Sequence, residues 1–345
     1  MLQQRTPAEY TSLITGTSDS IRAARIICIF FMTYVHVHLF TDANLQNSPQ
    51  FQTALSLIRE VAGRASVPLL SVVSGFLFVG YLARRSHLKA TKDRAKGLLV
   101  PIVTWNLVGI LLFSILDGVR PWSLNDFFPF TDHGFQYHLT FLRDLFVVSL
   151  LSPLLIRALK YAPLATIASV ILITAFEDTW PIILRASILM YFTFGLLFGL
   201  YRLEGLNIYK QGRYIVYAAF GAILFHAVIG GVDSLNKYFN VTNWIIHPVS
   251  ALTFWRISQW VASQSNLMRL VKILEPAVFL LYLSHGVTGR IIAGVYAQLD
   301  FAHTPWLYTL TWIAIPVLCF IAALIGRFTI LRLPPPLSMA VIGKS

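Results

Sequence analysis

Apolar residues fall along this chain in repeated runs of about 20, each closed off by charged or Gly/Pro-rich positions. That is the length an α-helix needs to cross the hydrocarbon of a bilayer. Ten such runs occur, at approximately 24–41, 66–83, 98–116, 139–157, 162–177, 181–201, 213–231, 243–262, 275–297 and 306–328. The pattern predicts an all-α polytopic membrane bundle, because in lipid only a helix or a closed barrel satisfies its own backbone. It divides the chain into a polar N-terminal segment over 1–23, a transmembrane domain over 24–330 and a tail over 331–345. No internal repeat, low-complexity tract or appended soluble domain interrupts it.

Composition agrees with a membrane chain. Of the 345 residues, 56% are hydrophobic and only 12% are charged, with a mean hydropathy of +0.67. Cys28 and Cys319 lie inside apolar runs, so they read as small core residues, with neither a disulfide framework nor metal-ligand spacing. The formal charge of +12 raises the question of a nucleic-acid partner, and its distribution answers no. Alternate loops collect Arg84, Arg85, Lys89, Lys92, Arg94 and Lys96, then Arg157 and Lys160, then Arg202, Lys210 and Arg213, then Arg269 and Lys272. The intervening loops collect acids, among them Asp42, Glu60, Asp117, Asp126 and Asp132. Such asymmetry is the positive-inside signature and predicts that both termini are cytoplasmic. The sequence sets no oligomeric state.

Charge inside the spans then becomes the informative feature. Each ionisable group there must face the bundle interior or a wet cavity. In the first span, Arg25 and His36 are eleven residues apart, which places them within about 20° on one helix face and about 16 Å apart along it. His38 lies about 200° around from His36, toward the opposite face. Arg143, Asp144, Arg185, His226, Arg256, His285 and Arg290 complete the set. Arginine outnumbers acid, so a cavity lined by them favours anions. Taken singly, Arg143 and Asp144 also fit an interface anchor, Arg290 a snorkelling cation, and His226 and His38 packed histidines. His36 is the candidate that its own face supports. A neutral imidazole takes a proton from a hydroxyl near neutral pH when a neighbour fixes its tautomer; Asp42, Glu60 and Asp144 are the acids that offer themselves.

Two further stretches carry chemistry. ARRSHLKATKDRAKGLLVP, residues 83–101, sets six cations against Asp93; it fits an orientation signal and equally a dock for a phosphate-rich cytosolic donor such as a coenzyme A thioester. PLLSVVSGFLF, residues 68–78, holds Ser71, Ser74 and Gly75, small residues that permit close helix approach or let an acyl or pantetheine arm pass the backbone. No Walker loop or dinucleotide fingerprint is present.

Together these segments resemble the acyltransferase-3 family of integral membrane O-acyltransferases. Arg25 and His36 match that family's Arg, ten residues, His pattern. VPLLSVVSGFL is similar to its Ser-Gly-Phe second span, and KATKDRAKGLLVPIVTW to its basic loop running into Leu-x-x-Pro and Trp. YHLTFLRDLFVVSLLSPLL resembles its His-Leu-Trp-Phe-Leu segment, and LLYLSHG its late Tyr-Leu-Ser-His segment. Ile26 replaces a frequent Gly, and Thr140 a usual Trp.

The resemblance implies transfer of an acyl group from cytosolic acyl-CoA to a hydroxyl of an exported polysaccharide or lipid-linked oligosaccharide. It gives His36 the role of general base and Arg25 that of a donor-binding or site-organising cation. Lys92, Arg94 and Lys96 would meet the coenzyme phosphates, with Ser74 beside the donor. The HLTFLRDLFVVSLLSP stretch looks closest to members that succinylate glucans or exopolysaccharides, which favours a succinyl-CoA over an acetyl-CoA donor. Arg143, Arg185, Arg256 and Arg290 would supply cations for the succinyl carboxylate, with His138 and His285 as further substrate contacts. The expected location is the bacterial inner membrane. A transporter of a glycan or organic anion is the competing expectation, since the same cations would line its path.

Overall fold

The computed structural model describes residue 4 and residues 6–36, 57–118, 123–130, 134–176, 183–201, 214, 216–225, 242–298 and 305–343. Helices dominate these residues. They are α1 (Pro7–His36), α2 (Ser66–Arg84), α3 (His87–Arg94), α4 (Val100–Asp117), α5 (Leu124–Phe127), α6 (Thr140–Tyr161), α7 (Pro163–Phe176) and α8 (Ala186–Leu200). After α9 (Val216–Phe225) come α10 (His247–Ser263), α11 (Ser265–Ala297), α12 (Pro305–Ile330) and α13 (Pro335–Ile342). Among the described residues the sole β feature is an isolated antiparallel bridge between Gln4 and Tyr201. Among the described residues, four helical stretches are long and apolar enough to cross a membrane: Leu57–Arg84, His87–Leu116, Tyr137–Tyr161 and Leu307–Ile330; α7, α8 and α9 are shorter apolar helices. Leu111, Ile115, Ile325 and Phe328 stay exposed, as residues do whose solvent is lipid.

The largest departure from the hydropathy pattern is at the N-terminus. The helix that carries Arg25 begins at Pro7, well before the first apolar run at 24. Thr6 and Glu9 explain the early start: the Thr6 amide donates to Glu9 Oε2 at 2.9 Å and the Glu9 amide to Thr6 Oγ1 at 3.4 Å, a reciprocal capping box. Similarly, α11 begins at Ser265, ten residues before the ninth run.

The chain forms two compact units, one of Met1–Ser18, Leu70–Leu203 and Phe328–Ser345, the other of Asp19–Leu69 and Glu204–Arg327. In the first, α2 and α8 cross at contact distance. A Cβ on Gly75 would collide with the carbonyl of Phe192, and one on Gly195 with that of Val72, so each glycine is the condition for the other helix's approach. Helices α6 and α8 run parallel, in direct contact, with α7 packed against both, and are tied at both ends. At one end Asp144 accepts from the amides of Leu184 and Arg185; at the other, Tyr201 Oη donates to the Leu159 carbonyl at 2.7 Å. The tail helix α13 docks on α4, where Trp105 Nε1 donates to the Val341 carbonyl at 2.9 Å.

In the second unit α1 is the element that the others grip. Phe31 meets Phe254 of α10 with ring centres 5.4 Å apart, and Tyr34 packs on Trp312 of α12 at 4.8 Å while donating to the Ile313 carbonyl at 2.9 Å. Ser66 Oγ donates to the Cys28 carbonyl at 2.6 Å. Ala23, Ala24 and Cys28 are fully buried, small enough to let neighbouring helices close in.

Candidate active site

Two contacts between α1 and α11 define the candidate site. Near the middle of α1, Arg25 Nη1 donates to Glu275 Oε1 at 3.3 Å. At the end of α1, the ring of His36 lies 5.4 Å from that of His285, tilted by 52°. The spacing is eleven residues on one helix and ten on the other, a rise of about 16 and 15 Å. Equal steps in the same direction mean that the two helices run parallel and in register, with an arginine–carboxylate pair at one level and an imidazole pair at the other. The cluster of Ala23, Met268 and Val271, with Ile26, Val261 and Ala262 against it, packs beside the charged pair and holds the two helices together there.

The two imidazoles differ. His285 is fully buried, and its Nδ1 donates to the Tyr282 carbonyl at 2.7 Å, with the Leu281 carbonyl 3.3 Å away. A neutral ring protonated on Nδ1 carries its lone pair on Nε2, so the backbone of α11 sets the tautomer. His36 is half-buried at the last turn of α1 and is the more accessible of the two. The charged pair beneath them is also open in part. The Arg25 side chain is 40% exposed and that of Glu275 24%, so Glu275 orients the guanidinium without enclosing it, and N–H donors stay available to a second anion.

Of the acids that sequence offers as partners for His36, Asp42 and the Glu60 side chain lie outside the described residues. Asp144 is engaged elsewhere, by Arg143 Nη1 at 2.7 Å and by the amides of Leu184 and Arg185 at 3.1 and 3.0 Å. What the structure sets beside His36 is a second histidine. Glu275 is a site residue that the sequence reading omits. Its signal was present, a lone glutamate before Pro276 at the edge of an apolar run, but its partner is 250 residues away.

The residues expected around a donor separate into two kinds. Lys92 and Lys96 are exposed on α3 and the π-helical turn Ala95–Leu99 that follows it. Arg94 turns inward: Nη2 donates to Ser74 Oγ at 3.2 Å, Nη1 to Ser149 Oγ, and Cζ sits 4.3 Å over the Phe78 ring. Ser74 and Arg94 are thus bonded to each other. Tyr81 and Arg85 converge on Asp93, the acid within that basic stretch.

The expected substrate contacts are spread over both units. Arg143 is buried between Asp144 and the Phe130 carbonyl, which accepts from Nη2 at 2.6 Å. Arg185 is half-buried and lies over Tyr137, Cζ to ring centre 4.7 Å. His138 is buried in the 3-10 turn Tyr137–Leu139 that leads into α6. Arg256 donates to Gln259 Oε1 at 2.8 Å, and Arg290 is exposed on the C-terminal half of α11. His38 and His226 lie outside the described residues. Among those described, no group of three His, Cys, Asp or Glu side chains is placed to hold a metal ion.

Comparison with known proteins reaches most of the chain. Residues 18–331 match the family described as an acyltransferase domain. Over 237 residues the chain is 30% identical to the succinoglycan biosynthesis protein ExoH of Rhizobium meliloti (strain 1021), a match that covers 62% of this chain and 62% of that protein. No solved structure matches.

Proposed function

The chain belongs to the acyltransferase-3 family, and from that premise we propose that it is a membrane O-acyltransferase in which His36 is the general base. The acceptor is a hydroxyl of an exported polysaccharide or a lipid-linked oligosaccharide, and the donor is cytosolic acyl-CoA, succinyl-CoA in preference to acetyl-CoA. The observation that carries the proposal is the register of α1 on α11, which sets His36 against His285 and Arg25 against Glu275 at two levels of one helix pair. The similarity to a succinoglycan biosynthesis protein supports a polysaccharide acceptor.

The chemistry follows from those positions. His36 accepts the proton of the acceptor hydroxyl as its oxygen attacks the thioester carbonyl. The C–S bond breaks, coenzyme A leaves as the thiolate, and the ester forms. His285, fixed in its tautomer by the Tyr282 carbonyl, orients the His36 ring. Arg25, held by Glu275, stabilises anionic donor groups or the oxyanion, and exposed Lys92 and Lys96 attract the coenzyme phosphates. The loop-charge asymmetry supports cytoplasmic termini, and the ten apolar runs support ten spans, which we assign to a bacterial inner membrane. Donor and acceptor then approach from opposite faces.

The test is acyl transfer from radiolabelled succinyl-CoA and acetyl-CoA to a polysaccharide acceptor by the purified chain in lipid nanodiscs. His36→Ala is expected to abolish transfer while retaining the wild-type melting profile. Wild-type transfer by His36→Ala, or glycan counterflow with no thioester consumed, contradicts the proposal.

A further inference from the structure

Of the four arginines that the sequence offers for a substrate carboxylate, two are held by protein groups and a third is exposed. Arg143 is held by Asp144 and the Phe130 carbonyl, Arg256 by Gln259, and Arg290 is exposed on the side of α11. Arg185 differs from all three. Its guanidinium is half-buried and lies over the Tyr137 ring, with Cζ 4.7 Å from the ring centre, yet among the described residues no carboxylate, carbonyl or hydroxyl accepts a hydrogen bond from its side chain.

Its position is nonetheless fixed. Arg185 is the N-cap residue of α8, and its amide and that of Leu184 donate to the fully buried Asp144. Asp144 is in turn pinned by Arg143. A buried ion pair therefore locks the backbone from which the Arg185 side chain departs, and the Tyr137 ring, itself about half-exposed at 49%, supports the guanidinium from one face. The ring excludes water from that face, and the N–H edge keeps its planar fork of donors. An ordered, partly desolvated guanidinium with an open edge has the geometry for a carboxylate, which takes two parallel N–H···O bonds.

We propose that Arg185, seated on Tyr137, is a carboxylate-binding subsite at the N-terminal ends of α6 and α8. Which carboxylate it takes rests on the function proposed above. One source is the free end of a succinyl group, the other an acidic sugar of the acceptor, and both present the same group to the same donors. The subsite selects between substrates; His36 remains the residue that moves the proton.

A binding experiment tests the subsite with no acyl transfer involved, so its failure is distinct from failure of the proposed reaction. The full chain in lipid nanodiscs is titrated with succinate and glucuronate, and with succinamide and glucose as neutral counterparts, followed by saturation-transfer NMR. At least one carboxylate is expected to bind about tenfold more tightly than its neutral counterpart, the gain of one charge-assisted bidentate contact. Arg185→Gln should erase that preference, Arg185→Lys should keep part of it, and Tyr137→Leu should weaken it several-fold. Arg157→Gln, at an exposed arginine that lies over Tyr161, should leave it intact. Preference for succinate assigns the subsite to the donor, preference for glucuronate to the acceptor, and either supports it. Equal binding of charged and neutral probes, or a preference that survives Arg185→Gln, overturns it.

Discussion

Two arginine–carboxylate pairs among the described residues, Arg143–Asp144 in one unit and Arg25–Glu275 in the other, have the same chemistry and opposite characters. Arg143 and Asp144 are neighbours in sequence, their side chains are 7% and 0% exposed, and further protein groups are bonded to both. Arg25 and Glu275 come from distant parts of the chain, meet at 3.3 Å and leave 40% and 24% of their side chains exposed. The first pair is closed, and its charges serve the chain by fixing the loop before α8. The second is open, and its charges are ordered but still available. Lying in a membrane helix does not by itself make a charge functional; its remaining capacity for a partner does.

That contrast predicts its largest effect at Asp144. Asp144→Ala strips the buried Arg143 guanidinium of its counter-ion and leaves the amides of Leu184 and Arg185 without an acceptor. Breaking a buried ion pair from one side costs about 3–5 kcal/mol, more than many folds can lose. The expected outcome is a chain that does not survive detergent extraction as a monodisperse species, or that melts far below the wild type by fluorescence-detected size exclusion. A melting profile within a degree or two of wild type would erase the distinction between the pairs.

The sequence exposed part of this arrangement, for physical reasons that differ by element. Most apolar runs were legible because bilayer thickness imposes a length and an all-apolar character at once, and α2, α4, α6 and α7 follow them closely. The start of α1 was not, since hydropathy reports where lipid begins, whereas a helix begins at its cap, and the Thr6–Glu9 box lies in a polar stretch. Arg25 and His36 could be set on one face by counting alone. Their partners Glu275 and His285 could not be assigned, because no local rule joins residues some 250 positions apart. Likewise Ser74 and Arg94 read as two donor contacts; the fold bonds them to one another.

The open pair gives a smaller effect on stability and a larger one on turnover. A partly exposed ion pair contributes at most about 1 kcal/mol, so Arg25→Gln and Glu275→Gln should shift the melting midpoint by no more than a few degrees. On the proposed mechanism Arg25→Gln nevertheless removes most acyl transfer. Glu275→Gln keeps the arginine but loosens it and should fall between Arg25→Gln and wild type. If Glu275→Gln destabilises the chain as much as Asp144→Ala does, the Arg25 pair is structural too, and Arg25 loses its claim on the donor.

The smallest effect belongs to the basic stretch, where the same distinction recurs among neighbours. Lys92 and Lys96 are exposed and Arg94 is bonded to Ser74 and Ser149, so they should respond differently to loss of charge. An exposed cation near a phosphate is worth about 0.2–1 kcal/mol, which at the upper end is about fivefold in affinity. On the proposed mechanism, Lys92→Gln and Lys96→Gln should therefore raise the KM for acyl-CoA by about two- to fivefold and leave kcat and the melting midpoint unchanged. The increase should be greatest in dilute buffer and fade toward 1 M salt, where the Debye length falls to about 3 Å. Arg94→Gln should reverse the pattern. Its hydrogen bonds and its stacking on Phe78 hold α3 against α2 and α6, so the melting midpoint should fall, and added salt should not diminish the defect, because bonded and partly buried partners are screened far less than exposed charges.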